Sequence, residues 1–342
     1  MELDFTHKPA GHCENGVTAN MLRYYGFDLP EPLIFGIAYG MFFSHIPFVK
    51  LAGLPVSSFR TFPGALFSRA TSTLGFKTTT ERFLIEENAM KRLDQKLEEG
   101  VPVGCVVGMY YLPYMPIEYR FPFNGHNICI VGHDSASDSY TVSDPNCTEK
   151  VSISRKDLLK VRFTKGGTYP LFGQMYWIKE APKQLPDLKP VVLKAIQKNC
   201  WYMSSIPSFI PFFGVNGIDY LASRIPTWKE RYGERKAALN LAQIIRMLEE
   251  IGTGGAGFRF MYGAFLQMAA QITGEGQFRE FAQRITAIGD NWRAFASDAA
   301  TIFKRRKDAC TYEHVAAEIA EIGKLERSFY NDLAKVAKEV KL

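Results

Sequence analysis

The fold of the first half of the chain is decided by the stretch Gly125-His126-Asn127-Ile128-Cys129-Ile130-Val131-Gly132-His133-Asp134 and by the segment Tyr140-Thr141-Val142-Ser143-Asp144-Pro145 that follows it. Both are short, rich in apolar and β-branched residues and bounded by Gly, Asp or Pro, which predicts two β-strands. The polar connection between them is short, so we expect the strands to pair as a hairpin. His126 and Asp144 then lie near the same end of that hairpin.

The segments around this hairpin predict a mixed α and β domain. Similar short apolar runs predict strands at 103–109 and 172–179. Helical patterns cover 14–25, 31–43 and 81–99, and the last of these ends on Gly100, a residue that readily adopts the left-handed conformation after a helix.

The second half of the chain has a different pattern. Three prolines fall within residues 180–190, and after them apolar residues recur at helical spacing over 232–251, 258–273, 276–303 and 311–340. We therefore predict an α+β protein with a catalytic domain at 1–183 and an α-helical domain at 190–342.

Composition excludes several classes of protein. The chain has 342 residues, 46% of them hydrophobic and 22% charged, which is typical of a globular protein. The net charge of +6 is mild and no basic run marks a nucleic-acid tail, so we expect no nucleic-acid partner. The acidic, polar N-terminus and the lack of a long uninterrupted apolar stretch predict a cytoplasmic protein without a membrane segment. The long amphipathic helices allow a homodimer.

Cys13 is the candidate nucleophile. It stands just before a helical pattern, where the unpaired N–H groups and the positive end of the helix dipole stabilise a thiolate. An imidazole that takes the proton and a carboxylate that orients the imidazole complete the groups that acyl transfer needs. Cys13, His126 and Asp144 occur in that order. The alternative for Cys13 is a buried, inert thiol.

The other histidines and cysteines are candidates for metal binding or for support of the nucleophile. His126, Cys129 and His133 are close in sequence, but a strand directs His126 to one face and the other two to the opposite face, which disfavours zinc. We therefore predict no metal. His7 stands six residues before Cys13 and could donate to an oxyanion, and His12 is predicted to have a positioning role. The remaining cysteines are expected in the core or on the surface.

Three further segments carry a family resemblance. The segments are His12-Cys13-Glu14-Asn15, Met21-Leu22-Arg23-Tyr24-Tyr25-Gly26 and Leu33-Ile34-Phe35-Gly36-Ile37-Ala38-Tyr39-Gly40. Together they resemble the N-terminal domain of the butirosin-biosynthesis BtrH family. The run Gly252-Thr253-Gly254-Gly255-Ala256-Gly257-Phe258-Arg259, with the later Trp292, is similar to the helical domain that commonly follows it.

The resemblance implies a papain-like cysteine-protease fold that is used for acyl transfer. Such proteins take an acyl group from a carrier-protein thioester and pass it to an amine in natural-product (antibiotic) biosynthesis, as in closthioamide-type assembly. No cofactor is then needed beyond the phosphopantetheine arm of an acyl or peptidyl carrier protein, and the acceptor is a small amine. Papain-like folds commonly carry Gln upstream of the cysteine as an oxyanion donor. Here that spacing carries His7.

Two unusual segments have alternative interpretations. The aromatic stretch 109–123 could pack between domains, or its residues Tyr110, Tyr111, Tyr114 and Phe123 could line a channel to Cys13. The glycine-rich run 252–257 lacks the Lys-Ser/Thr of a phosphate loop and no strand precedes it, so it predicts a tight turn between helices.

Two other functions fit the same residues. A cysteine peptidase or amidohydrolase would use the same triad and admit water. A non-catalytic binding protein would keep the fold without a reactive thiol.

Overall fold

The computed structural model describes residues 1–51, 53–117, 120, 123–166, 170–251, 253–306 and 310–340. Within them the chain forms two compact units. The first contains Met1–Ile34 and Leu66–Leu185, and the second contains Phe35–Ala65 and Pro186–Leu342.

The first unit is built on a six-stranded sheet whose neighbouring strands all run antiparallel. The strands are β3 (Lys77–Glu81), β4 (Val103–Gly108), β5 (Asn124–Asp134), β6 (Ser139–Ser143), β7 (Val151–Ser154) and β8 (Met175–Glu180). Their spatial order is β3-β8-β4-β5-β6-β7. The predicted hairpin is confirmed: β5 pairs with β6 and Asp134 lies opposite Ser139.

Four helices accompany this sheet: α1 (Cys13–Tyr24), α3 (Ala65–Thr73), α4 (Glu86–Glu98) and α5 (Arg155–Arg162). Helix α1 packs against β5, the strand that carries His126. The predicted helix at 14–25 is confirmed, and the one at 81–99 is confirmed in its main part. Gly100 follows α4 with a φ of 77°, as its place after a helix requires.

The prediction of one helix over 31–43 is wrong in its second half. Helix α2 (Glu31–Ile37) stops because Tyr39 adopts a left-handed φ of 41°. The chain continues as β1 (Met41–Leu51), which pairs with β2 (Leu54–Arg60) in a two-stranded antiparallel sheet. A fully apolar run has the same appearance in a buried strand and a buried helix, so periodicity could not separate them.

This hairpin belongs to the second unit, which is therefore discontinuous in sequence. The predicted division into 1–183 and 190–342 treated each domain as one continuous stretch. The structure also changes units near residue 185, but residues 35–65 cluster with the later helices. Asn199 on α6 (Leu188–Ser204), for example, donates to the backbone carbonyl of Met41 at 2.6 Å.

The rest of the second unit is helical, as predicted. After α6 come α7 (Gly214–Arg224), α8 (Trp228–Tyr232), α9 (Glu234–Ile245), α10 (Arg259–Thr273), α11 (Gln277–Phe303) and α12 (Tyr312–Glu339). Helix α12 packs against α6, α7 and α11 and so forms the centre of the helical layer. Among the described residues, no helix is both long and apolar enough to cross a membrane.

The glycine-rich run forms the predicted turn before α10, although Gly252 lies outside the described residues. Gly254, Gly255 and Gly257 all have positive φ angles. At Gly257 a Cβ would lie only 2.6 Å from the Phe59 ring, so this position also requires a residue without a side chain.

Arg259, the first residue of α10, anchors the helical layer through a buried ion pair. Its guanidinium donates to both carboxylate oxygens of Glu326 on α12, at 2.9 and 3.0 Å. The Trp292 indole donates to the same carboxylate at 2.7 Å. Neither charged side chain reaches solvent, so removal of one partner would leave the other buried without its counter-charge.

Glu326→Leu tests this pair. The substitution leaves an uncompensated guanidinium in the core, and we expect it to lower the free energy of unfolding by about 3–5 kcal/mol. The matched control is Arg284→Ala, which removes a half-exposed pair with Asp332 and should cost less than about 1 kcal/mol. Urea titration followed by circular dichroism measures both values. Equal losses in the two variants would contradict the assigned role of the buried pair.

Candidate active site

Cys13 is the first residue of α1, as predicted. His12 is the N-cap residue: its backbone is extended and its Nδ1 accepts the backbone N–H of Asn15 at 3.3 Å. The thiol therefore lies at the positive end of the helix dipole, in the turn whose N–H groups have no acceptor within the helix. Both side chains are buried.

His126 and Asp144 are brought together by the β5–β6 hairpin. His126 lies near the start of β5, Asp144 directly follows β6, and Nε2 of the imidazole is 2.7 Å from Oδ2 of the carboxylate. Asp144 also accepts from the Tyr114 hydroxyl at 3.0 Å and from the backbone N–H of Asn146 at 3.0 Å. Three donors thus hold a carboxylate that has no exposure to solvent.

The imidazole also interacts with Cys13, which completes the predicted cluster. Burial alone would lower the pKa of His126, but the Asp144 carboxylate and a hydrogen bond with the Cys13 side chain outweigh it and raise the pKa to about 10. Burial would likewise raise the pKa of Asp144, but its bonds with His126, Asn146 and Tyr114 hold that pKa below its ordinary value. At neutral pH the pair is an imidazolium beside a carboxylate.

Asn127 is a member of the site that the sequence reading missed. Its Nδ2 lies 3.8 Å from the Cys13 Sγ and donates to the carbonyl of Gly125 at 3.1 Å. The Tyr176 hydroxyl donates to Oδ1 at 2.8 Å and so fixes which end of the amide faces the sulfur. The Tyr176 ring lies over Gly104, where a Cβ would be only 2.2 Å from it.

Two carboxylates tie the start of α1 to the chain around it. Glu31 accepts the backbone N–H groups of Gly11 at 2.9 Å and His12 at 2.8 Å, directly before the thiol. Burial raises the pKa of Glu31 despite these bonds. Glu14, directly after the thiol, is buried and accepts the backbone N–H groups of Leu66 and Phe67 in the first turn of α3.

A close backbone approach joins α1 to the Asp144 loop. A Cβ at Gly16 would lie 2.6 Å from the side chains of both Ala10 and Pro145. The backbone N–H of Ala10 also donates to the Pro145 carbonyl at 2.9 Å. Gly16 therefore lets the cysteine helix lie against the loop that follows Asp144.

The structure gives His7 contacts other than the predicted oxyanion contact. Its Nδ1 lies 2.8 Å from the Ser143 hydroxyl and its Nε2 lies 3.0 Å from the Cys147 carbonyl. A carbonyl only accepts, so the ring N–H is used in that bond. His7 thus ties the N-terminal segment to residues on either side of Asp144, which is a positioning contact. His12 acts as the N-cap.

Of the predicted channel residues, Tyr114 is the one whose hydrogen bond reaches the site. Tyr110 and Tyr111 lie in a short 3-10 turn, Met109–Tyr111, with their rings exposed and in edge contact at 4.9 Å. The Lys160 ammonium lies 4.0 Å from the Tyr111 ring centre. Phe123 is half-buried and its carbonyl accepts the N–H of Met109. Residues 118, 119, 121 and 122 of the aromatic stretch lie outside the described part.

The other five cysteines lack the environment of Cys13. All six are free thiols. Burial raises the pKa of Cys105, Cys129, Cys200 and Cys310, and burial together with Asp144 raises the pKa of Cys147 to about 11. Each of these thiols therefore stays protonated at neutral pH.

His126, Cys129 and His133 do not form a metal-ligand group among the described residues. His126 is bonded to Asp144, whereas His133 stacks on Tyr140 with ring centres 4.4 Å apart. In the part of the chain that the structure describes, the group whose ligand atoms come close enough for a metal is Asp298, Cys310 and His314 in the second unit. His314 and Asp298 already bond each other there, at 3.1 Å.

The fold and the site define a two-unit protein whose α/β unit holds a buried Cys–His–Asp cluster. Two family profiles match the chain, and their bounds differ from those of the two units. The chain belongs to the DUF4872 family, a domain of unknown function that matches residues 156–333, and its residues 12–145 match the family described as butirosin biosynthesis protein H, N-terminal. The match over residues 12–145 contains all three residues of the cluster. No curated protein matches the chain.

Asp144→Asn tests the origin of the raised His126 pKa. Without the carboxylate, burial acts with less opposition, so we expect the His126 pKa to fall from about 10 toward or below its ordinary value. NMR titration of the labelled imidazole measures the shift. Asp298→Asn, which removes the carboxylate from the exposed His314 pair, is the control and should leave the His126 signal unchanged. A His126 pKa that stays near its wild-type value in Asp144→Asn would contradict the assignment of the raised pKa to Asp144.

Gly16→Ala tests the close approach of α1. The added methyl would clash with both Ala10 and Pro145, so we expect α1 to shift and alkylation of Cys13 by iodoacetamide to slow by about tenfold, the effect of roughly 1.4 kcal/mol in a barrier. Peptide mass mapping measures the rate at Cys13. Gly276→Ala is the matched control because a Cβ there meets nothing within 4 Å, and its rate should equal that of the wild type.

Proposed function

We propose that this protein is a cysteine-dependent acyltransferase that forms amide bonds in natural-product biosynthesis. The observation that carries the proposal is the His126 imidazole, which bonds Asp144 on one side and Cys13 on the other. That is the arrangement of nucleophile, base and orienting carboxylate on which acyl transfer depends. The family described as butirosin biosynthesis protein H supports a role in biosynthesis.

We also propose that the first unit is a papain-like fold. Its support is a cysteine at the N-terminus of a helix that packs against an antiparallel sheet, with the histidine and the carboxylate supplied by neighbouring strands of that sheet. This arrangement is defined by the roles of the side chains and their geometry rather than by sequence positions.

The first half-reaction uses the raised pKa of His126. Because the imidazole holds a proton at neutral pH, Cys13 reacts as the thiolate and attacks the carbonyl of an acyl carrier thioester. The bond between the acyl carbon and Cys13 forms, and the bond to the pantetheine sulfur breaks. His126 gives its proton to the departing thiol, so the acyl-enzyme is left with a neutral imidazole.

The second half-reaction restores the starting state. A small amine attacks the acyl-Cys13 carbonyl and gives a proton to the neutral His126. The amide leaves and Cys13 departs as the thiolate, again beside an imidazolium. Exchange between two thioesters is nearly balanced in energy, whereas amide formation drives the cycle forward. Asp144 keeps Nε2 occupied in every step, which reserves Nδ1 for the proton transfers.

Two donors are proposed to stabilise the oxyanion. One is the backbone N–H of Cys13 at the start of α1. The other is the Asn127 side-chain N–H, which lies near Sγ and takes the role expected of His7 at the sequence level. Donors of this kind are commonly worth about 10²–10³ in rate. The exposed rings of Tyr110 and Tyr111 are proposed to guide the pantetheine arm.

The function is tested with an acyl-pantetheine thioester and a primary amine. We expect an acyl adduct on Cys13 in the intact mass spectrum and an amide product once the amine is present. His126→Ala should slow adduct formation by about 10²–10⁴, the usual value of general acid–base catalysis. Cys13→Ala should form no adduct, and the matched control Cys147→Ala should behave as the wild type.

The products separate the alternatives. Free acid as the main product in the presence of saturating amine would favour a hydrolase. An adduct that persists in Cys13→Ala would show that the nucleophile is wrongly assigned. A wild-type Cys13 that reacts with iodoacetamide no faster than an ordinary thiol would favour a binding protein without turnover.

A further inference from the structure

The second unit contains a solvent-open cavity of about 350 Å³, formed by the β1–β2 hairpin and helices α7 and α8. This volume falls within the range of small-molecule sites. Its lining includes three cations and four aromatic rings: Lys50, Arg224, Arg231, Phe48, Tyr220, Trp228 and Tyr232.

The positive charge of this cavity is not compensated by the protein. No acidic residue lines it, and among the described residues no carboxylate lies within ion-pair distance of Lys50, Arg224 or Arg231. Burial, Lys236 and Arg231 together lower the pKa of Lys50. Cations gathered in this way repel one another, and a bound anion would relieve the repulsion.

The aromatic rings already hold the guanidinium groups against the wall of the cavity. Arg224 lies 4.9 Å from the centre of the Tyr220 ring, and Arg231 lies 5.5 Å from the centre of the Tyr232 ring. A guanidinium that is stacked on an aromatic ring can still donate its N–H groups to a ligand, because these groups lie in the plane of the guanidinium.

His45 supplies a buried polar group to the lining of the cavity. It is 2% exposed, and its Nδ1 lies 2.8 Å from the Ser57 hydroxyl. Burial and the charge of Lys50 lower the pKa of His45 to about 4, so the ring is neutral at physiological pH. Among the described residues its Nε2 has no hydrogen-bond partner. When Ser57 donates to Nδ1, Nε2 carries the N–H and can donate to a ligand in the cavity.

We propose that this cavity binds a small organic phosphate. Lys50, Arg224 and Arg231 would hold the phosphate. A phosphate ester carries a charge of roughly −1.5 to −2 at neutral pH. Its oxygens can accept two parallel N–H groups of one arginine. Tyr220, Trp228 and Tyr232 would contact a flat organic group. The cavity is larger than an inorganic phosphate requires, and a bare ion would leave the aromatic rings of the cavity without a ligand contact.

Three matched probes test the proposal by isothermal titration calorimetry on the full chain. Phenyl phosphate carries both features, inorganic phosphate carries only the charge, and phenol carries only the ring. We expect phenyl phosphate to bind at least tenfold more tightly than either of the others and to weaken as salt is raised. Trp228 lies in the wall, so quenching of tryptophan fluorescence should follow the same binding curve.

Variants locate the binding on the two exposed arginines. Arg224→Gln and Arg231→Gln should each weaken phenyl phosphate by about tenfold, and both should keep the wild-type circular dichroism spectrum because neither side chain is in the core. Lys229→Gln is the matched control, since it removes one positive charge from α8, the helix that carries Arg231, and Lys229 does not line the cavity. Unchanged binding in the two arginine variants, no binding of phenyl phosphate, or equal affinity for inorganic phosphate would each overturn the proposal.

Discussion

The site depends on a single constraint, the double hydrogen bonding of the His126 imidazole. A histidine as deeply buried as this one would lose its proton at neutral pH if it stood alone, because burial penalises the charged form. Asp144 stabilises the charged form of the ring because its Oδ2 lies 2.7 Å from Nε2 of His126. The pKa of the carboxyl is held low first by His126 and then by the Asn146 N–H and the Tyr114 hydroxyl. The charged imidazole and the charged carboxylate therefore support each other, and two further donors stabilise the carboxylate.

The second requirement is that a helix and a hairpin meet within hydrogen-bond distance. Cys13 and His126 are separated by more than a hundred residues, so their contact depends on how closely α1 approaches the sheet. Gly16 permits that approach on one side. On the other side, Tyr176 orients Asn127 toward the sulfur and can occupy its place because residue 104 is glycine. Two glycines thus set the distance on which the chemistry depends.

The sequence was sufficient for the parts of the structure that follow from local patterns. The β5–β6 hairpin, α1 and the later helices have periodicity, turn residues and caps that act within a few positions. What it missed depends on packing between distant segments. The apolar run of the β1–β2 hairpin is equally typical of a helix and of a strand. Its strand conformation depends on the pairing of β1 with β2 and on the left-handed backbone of Tyr39. His7 had the expected spacing from Cys13, but Ser143 and Cys147 engage its ring.

Asn127 and Glu31 had no sequence signal, and Glu31 shows why the path of the chain matters for the thiol. The chain leaves the first unit after Ile34 and returns at Leu66. Glu31 lies just before the exit and binds His12, whereas Glu14 binds the N–H groups at the return. Residues close to both ends of segment 35–65 are therefore hydrogen-bonded to the residues that flank Cys13. The same contacts hold the residues on both sides of Cys13, so the thiol is positioned by the path of the chain as well as by the His126 imidazole.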